Sequence, residues 1–254
     1  MKNERIKNAV KARYSQIAER SQQSCCSSCG CGIGPLAQTE AIGYSGEDLE
    51  RIPEESVMGL GCGNPTAIAE LKPGETVLDL GSGAGIDAFL AADKVGPNGS
   101  VIGVDMTEEM IDKAADIAKC NGYTNVEFRL GEIEELPVDD SSVDIVMSNC
   151  VINLAPDKAK VFREAYRVLR PGGRLSISDI VTDRALSDEM RNDLDAWAGC
   201  IAGALEQRQY LRIIKEAGFA DLQVLSSREF YVQDSNNKKM AKLSSITIRA
   251  YKHE

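Results

Sequence analysis

Apolar residues recur along this chain in two rhythms. Between residues 3 and 20, Ile6, Val10, Tyr14 and Ile17 return at three- and four-residue intervals among charged positions, which predicts an amphipathic helix. Residues 35 to 70 show no sustained period and read as an irregular region. From there the pattern becomes regular. "TVLDL" (76–80) is a short apolar run of the kind found in strands buried on both faces, followed by a glycine-rich turn and a helix through about Lys94. "SVIGVD" (100–105) predicts a second strand, and Thr107 opens a helix with Glu108 and Glu109 in its first turn, where carboxylates suit the helix dipole. "NVEFRL", "VDIVMSN" and "GRLSISDIV" continue the strands, with "PDKAKVFREAYRVLRPGG" as the helix between the last two. The tail gives helices from "LSDEMRNDLDAWAGCIAGAL" onward, then strand-like runs around Gln223–Val232 and Leu243–Tyr251. Strands and helices alternating at these lengths imply an α/β fold, a mostly parallel sheet with helices on both faces.

A length of 254 residues suits one large domain of this kind with additions at each end. The net charge of −10 and the lack of any basic stripe argue against a nucleic-acid partner, which would require cations to displace counterions. The first residues, "MKNERIKNAVKARYSQIAER", are charged from the second position and lack the apolar centre of a secretory leader. No run approaches the ~18 apolar residues of a membrane span. A cytoplasmic chain with reduced thiols and no membrane partner is therefore expected, and a disulfide framework is not. His253 is the sole histidine, so imidazole base catalysis and histidine-rich metal sites have almost no material.

Cysteine is the unusual component. Cys25, Cys26, Cys29 and Cys31 crowd into "SQQSCCSSCGCG", a Ser/Gly-rich stretch read as a loop, while Cys62, Cys120, Cys150 and Cys200 stand alone. Each isolated thiol is open to the plain reading of a small buried apolar residue. For the cluster, three readings stay open: redox or soft-ligand chemistry, a bystander loop, or a structural zinc knot. The last is hampered by the adjacency of Cys25 and Cys26 in so short a span.

The sharpest backbone signal is "VLDLGSGAGID" (77–87). Glycines 81, 83 and 85 after a strand let the backbone turn tightly beneath a ligand, but Ile86 breaks a dinucleotide fingerprint and no P-loop Lys follows. What remains, an acid followed by G-x-G-x-G, resembles the first motif of Rossmann-like S-adenosylmethionine-dependent methyltransferases. The plain alternative is that the glycines only close a strand-helix turn and Asp105 caps the next helix. In the family, the acid, here Asp79, lies near the methionine end of the cofactor. The acid 26 positions later, Asp105, would accept from two ribose hydroxyls. "GEIEELP" resembles the adenine-contacting segment, pointing to Glu132 and Ile133. The resemblance thus implies Asp79, Gly81, Ser82, Gly83, Gly85, Asp105, Met106, Glu132, Ile133 and Asn149 as the set for S-adenosyl-L-methionine.

The substrate side departs from the amino-group methyltransferases, whose fourth strand ends in Asn/Asp-Pro-Pro-aromatic. Here it ends in "SNCVINLAPDK". Together with "GYSGEDLERIPEESVMGLGCGNPTAIAELKPGE", "IGVDMTEEMI" and "GALEQRQYLRIIKEAGF", it resembles the arsenite S-adenosylmethionine methyltransferases from the first helix through about residue 225. That resemblance makes Cys62, Cys150 and Cys200 the three thiols that hold arsenic(III). The chemistry suits the residue types. Soft thiolates select soft centres, and three of them leave arsenic a trigonal pyramid with a free lone pair. That lone pair is the nucleophile, so no general base is needed, and alignment at about 3–3.5 Å is the main requirement.

Residues 1–70 then carry the first helix, the cysteine-rich loop and a substrate segment. Residues 71–185 form the cofactor-binding core, and 186–254 complete substrate site and sheet. Methylation formally oxidises arsenic by two electrons, so a reducing thiol of thioredoxin or glutathione type is an expected co-substrate. Cys25, Cys26, Cys29 and Cys31 are candidates to relay its electrons, and arsenite or a thiol conjugate of it would be the substrate. A monomer is expected. Two other readings are a small-molecule C-methyltransferase with incidental cysteines and a non-catalytic arsenic-binding protein. A thiol where a carbon acceptor needs an apolar slot argues against the first, and the intact glycine turn with Asp79 and Asp105 against the second.

Overall fold

In the computed structural model of the chain, residues 2–22, 34–233 and 240–253 are described. The cysteines at 25, 26, 29 and 31 lie outside these residues. The first helix is α1 (Lys2–Gln22). Ile6 and Val10 are buried on it, as their spacing predicts. The region read as irregular holds three short helices, α2 (Pro35–Ala41), α3 (Gly46–Arg51) and α4 (Pro65–Ile68). They span at most seven residues, too few for a helical period to emerge. Local caps define them instead: Ser45 and Asn64 accept from backbone amides in the first turns of α3 and α4.

The core alternates β1 (Thr76–Leu80), α5 (Ile86–Val95), β2 (Ser100–Asp105), α6 (Glu108–Cys120), β3 (Val126–Leu130), β4 (Val143–Asn149), α7 (Lys158–Val168) and β5 (Leu169–Thr182). Short helices α8 (Asp188–Asn192) and α9 (Leu194–Ala198) follow, then α10 (Gln207–Glu216), β6 (Ala220–Gln233) and β7 (Met240–Tyr251). Seven strands form one sheet in the order β3-β2-β1-β4-β5-β7-β6. The first five are parallel, and β7 runs antiparallel to both β5 and β6. One boundary differs from expectation. The helix expected to run to Gly173 stops at Val168, and β5 starts at Leu169, its register against β4 shifting between Val143 and Ile145. The "RPGG" segment is therefore a strand irregularity and not a helix end.

Side-chain alternation explains why the strands read as continuous apolar runs. Leu78, Leu80 and Val146 join a core with Phe162 of α7 and Tyr210 of α10, while Val77, Ile145 and Met147 pack against Ala88, Ala91 and Val95 of α5. Both faces are covered, and each large apolar side chain so buried contributes about 1.5–3 kcal/mol. Strand order reverses between β1 and β4, so the chain diverges there and leaves a crevice at the carboxyl ends of the strands. Among the described residues, no helix is long and apolar enough to cross a membrane.

Candidate functional site

The crevice opens into a cavity of about 310 Å³ roofed by Val10, Tyr14 and Ile17 of α1 and walled by the loops after β1, β2, β3 and β4. Lys7 fixes the roof through Glu134 at 3.0 Å, and Ser15 donates to Glu109 at 2.8 Å.

At one end lies the glycine turn. Gly81 has φ of 65° and a Cβ there would sit 2.3 Å from Val151, so only glycine passes. Gly85 has φ of 96° at the start of α5 and abuts Phe89 and Phe128, a packing role away from the cavity wall. Ser82 and Gly83 line the cavity. Asp79 alternates with Leu78 and Leu80, so it faces α5, where it meets Asp87. Asp79 is 2% exposed, and its Oδ2 finds no hydrogen-bond partner; neither does Ser82 Oγ. Burial, then the charges of Asp87 and Asp105, push the Asp79 carboxyl well above the usual range. Burial raises Asp87 to about 6, against the pull of hydrogen bonds from Tyr44 and Asn149. Two buried carboxylates with an orphaned oxygen form a site that is favoured by a cation and repels an anion.

Asp105 ends β2. Its Oδ2 accepts from Gly83 N at 3.0 Å and its Oδ1 from Thr107 N at 2.9 Å, leaving each oxygen a further lone pair. Burial raises its carboxyl net of those backbone donors. Met106 and Ile133 line the cavity, and so does Glu134. Glu132 is not part of that wall. It pairs with Lys7 at 2.5 Å, with its side chain 52% exposed.

Asn149, at the end of β4, is bound on every side. Its Oδ1 accepts from Cys62 N at 3.0 Å and Gly63 N at 3.3 Å. Its Nδ2 donates to Gly63 O at 2.7 Å, Tyr44 Oη at 2.8 Å and Asp87 Oδ2 at 3.3 Å. The side chain clamps the Cys62 loop to the strand end, and Tyr44 completes the clamp by donating to Asp87 at 2.9 Å.

At the other end of the cavity the Cys150 thiol has those of Cys62 and Cys200 as neighbours. Cys150 follows β4 and Cys200 follows α9, both at left-handed φ of 65° and 62°. That conformation costs a non-glycine residue roughly 1–2 kcal/mol, strain of a kind that clusters at functional sites. The neighbouring thiols of Cys200 and Cys62, with burial, push the Cys150 thiol well above the ordinary thiol range. Cys200 Sγ also donates to the Cys150 carbonyl at 3.3 Å. For Cys62 the Cys150 hydrogen bond pulls downward, but burial and the Asp179 carboxylate leave it raised. Cys150 and Cys200 line the cavity, and Cys62 sits behind them. Tyr14 reaches down from α1 to touch the Cys200 thiol, and burial holds its phenol well above the usual range. Cys120 is exposed at the end of α6, away from the others.

Beneath the thiols lies a buried polar group that sequence reasoning missed. Asp179 of β5 accepts from Tyr210 Oη at 2.7 Å and from Ile180 N at 2.8 Å, and burial raises it to about 6. Lys158, lowered to about 8 by burial, donates to Asn153 O and Ala155 O nearby. The motif "GRLSISDIV" carried no signal that Asp179 would face cysteines from other segments. Tyr44, Asp87 and Glu134 were missed for the same reason.

Residues 71–218 match the family described as "Methyltransferase domain". The arsenite methyltransferase of Halobacterium salinarum is 46% identical over 98% of this chain and 67% of its own length. The human arsenite methyltransferase is 32% identical over the whole of this chain and 69% of its own. The chain thus spans about two thirds of these relatives. Among solved structures, the arsenic(III) S-adenosylmethionine methyltransferase of Chlamydomonas reinhardtii superposes with a TM-score of 0.70 at 38% identity, covering 87% of this chain and 75% of that one.

Proposed function

The chain belongs to the arsenite methyltransferase family, and on that premise we propose that Cys62, Cys150 and Cys200 hold trivalent arsenic for methylation. The observation that carries this reading is the convergence of three thiols from distant segments at one end of a cavity whose other end is acidic and unsatisfied. The residues present suit S-adenosylmethionine: orphaned Asp79 Oδ2 and Ser82 Oγ for its amino acid end, and the free lone pairs of Asp105 for its ribose hydroxyls. Met106 and Ile133 would flank the base. When bound, S-adenosylmethionine supplies an electrophilic methyl group on a sulfonium.

The chain's own residues do the rest. Arsenous acid exchanges its three hydroxyls for three thiols, each S–H proton leaving with a hydroxyl as water, so the bound species carries no net charge. The raised thiols suit this exchange, because a neutral arsenic trithiolate removes the repulsion that separate thiolates would feel. Arsenic keeps its lone pair, which needs no deprotonation, consistent with a cavity without histidine. The Asp79–Asp87 pair draws in a cation, and Val10, Tyr14 and Ile17 of α1 present an apolar roof to the bound pair.

Residues 1–70 and 186–254 supply Cys62 and Cys200, and 71–185 supplies the cofactor wall with Cys150. A small-molecule C-methyltransferase and a non-catalytic arsenic binder are not favoured, given relatives named arsenite methyltransferase along almost the whole chain. Each methylation leaves arsenic two electrons oxidised. A thioredoxin- or glutathione-type thiol would return them by forming a disulfide, and Cys25, Cys26, Cys29 and Cys31 are the relay favoured by sequence.

The test is incubation of pure protein with arsenite, thiol and methyl-labelled S-adenosylmethionine, followed by separation of the arsenic species. Label should enter arsenic in the native protein and not in Cys150→Ser, whose S-adenosylmethionine affinity should be unchanged. Equal label in Cys150→Ser would refute the trithiol site. Replacing the four clustered cysteines by serine should spare a single turnover and slow repeated ones at limiting thiol.

A further inference from the structure

Arsenic(III) needs three sulfurs, but the structure puts a fourth ligating group beside them. Sγ of Cys62, Sγ of Cys150 and a carboxylate oxygen of Asp179 all lie within 4.8 Å of one another, the last two buried and Cys62 half-buried. We propose that these three side chains form a second, overlapping site for a thiophilic divalent cation of the zinc class, in competition with arsenite.

Geometry is the first argument. Bonds of about 2.3 Å to sulfur and 2.0–2.2 Å to oxygen require ligand atoms somewhat under 4 Å apart in a tetrahedron. The observed spread of up to 4.8 Å is within about an ångström of that requirement. The carboxylate is already oriented: Tyr210 Oη holds one oxygen at 2.7 Å and Ile180 N the other at 2.8 Å, and each oxygen keeps a lone pair. A ligand fixed by an outer hydrogen bond is the usual support of a metal site. Water takes the fourth position.

Charge is the second argument. Binding a dication to two thiols and a carboxylate releases two protons to solvent and leaves the centre at −1. Lys158, buried and electrostatically coupled to both Asp179 and Cys200, supplies the compensating +1. Arsenic reaches neutrality differently, through three thiolates and no carboxylate. The two ligands therefore differ in which fourth group they need: the cation uses Asp179, and arsenic uses Cys200. Hard cations such as magnesium or calcium, which require six or more oxygens, are excluded by this donor set.

The site rests on the placement of these side chains and does not require the arsenic reading. The experiment uses the full chain, reduced, with Cys25, Cys26, Cys29, Cys31 and Cys120 changed to serine so that Cys62, Cys150 and Cys200 are the remaining thiols. Co²⁺ serves as the spectroscopic probe. One equivalent should give thiolate-to-cobalt charge-transfer absorption and the visible bands of a tetrahedral ion, and prior arsenite should abolish both. Asp179→Asn should weaken Co²⁺ by about tenfold or more while arsenite still binds. Cys200→Ser should do the reverse. Absent charge-transfer bands in the parent, or full Co²⁺ affinity in Asp179→Asn, overturn the proposal. If Asp179→Asn binds neither ligand because it misfolds, Cys200→Ser decides: retained cobalt with lost arsenite supports the site, and loss of both refutes it. A parent that binds Co²⁺ and not arsenite would sink the arsenic reading and leave this one standing.

Discussion

Replacing Asn149 by alanine separates two roles that its position allows, contact with the cofactor or control of the arsenic loop. The native side chain accepts from Cys62 N and Gly63 N and donates to Gly63 O, Tyr44 Oη and Asp87 Oδ2. Alanine strands the amides of Cys62 and Gly63 and the carbonyl of Gly63, and a buried group without a partner costs about 1–3 kcal/mol. Water entering the space left by the amide recovers part of that, so a net cost of about 2 kcal/mol is expected. The loss falls on the geometry of the Cys62 loop, because Asn149 is the tether that holds residues 62 and 63 against β4. If arsenite binding must re-form that geometry, the same free energy appears as roughly thirtyfold weaker arsenite binding. S-adenosylmethionine affinity should change less than about threefold, since no side-chain atom of Asn149 is left unpartnered for a ligand. Calorimetric titration of the variant with each ligand separately is the assay, and Tyr44→Phe, which removes one link of the clamp, should give a smaller loss of the same kind. The reasoning fails if Asn149→Ala weakens S-adenosylmethionine and leaves arsenite untouched.

Four further outcomes are expected. Asp87 is raised to about 6 in the fold, so it is protonated there at pH values where the unfolded chain, near 3.9, has already ionised. Its contribution is complete below about pH 4 and disappears as pH rises through about 6, on the order of 3 kcal/mol; urea unfolding of Asp87→Asn against the parent should show their stability difference changing across that window, and a constant difference refutes it. Binding of cationic S-adenosylmethionine should ionise Asp79 and release a proton, seen as a buffer-dependent binding enthalpy that Asp79→Asn lacks. Arg174 donates to Ala69 O at 2.6 Å, Glu70 O at 2.7 Å and both oxygens of Glu75, so Arg174→Met should cost about 3–5 kcal/mol in urea unfolding; a loss under about 1 kcal/mol would show the pocket is readily solvated. Glu132→Gln breaks only a half-exposed pair with Lys7 and should leave cofactor affinity within about twofold, whereas a tenfold loss would return Glu132 to the cofactor wall.

Local features of this protein were legible because local interactions produce them. The helical spacing of Ile6 and Val10 marks the face α1 buries, and apolar runs such as "TVLDL" mark strands covered on both sides. The glycine turn was visible because only glycine fits beneath Val151 at that φ. The isolated cysteines could be named as a set because their surroundings resemble a family, and no periodicity pointed to them. Side-chain caps on α3 and α4 and a proline opening α2, not periods, define those helices, so that region looked shapeless. Tertiary structure decided what faces what. Glu132 and Glu134 are two positions apart, yet one pairs at the surface and the other lines the cavity, a choice made by the docking of α1. Asn149 lines the cavity, and its hydrogen bonds run to the Cys62 loop, Tyr44 and Asp87, partners that its place at a strand end did not announce. Asp179 lay unremarked in the strand run "GRLSISDIV". Only the pairing of β5 with β4 and the return of α10 bring it Tyr210 on one side and two thiols on the other. Such juxtapositions depend on strand order and loop closure across the whole chain, and neither leaves a trace in the spacing of neighbouring residues.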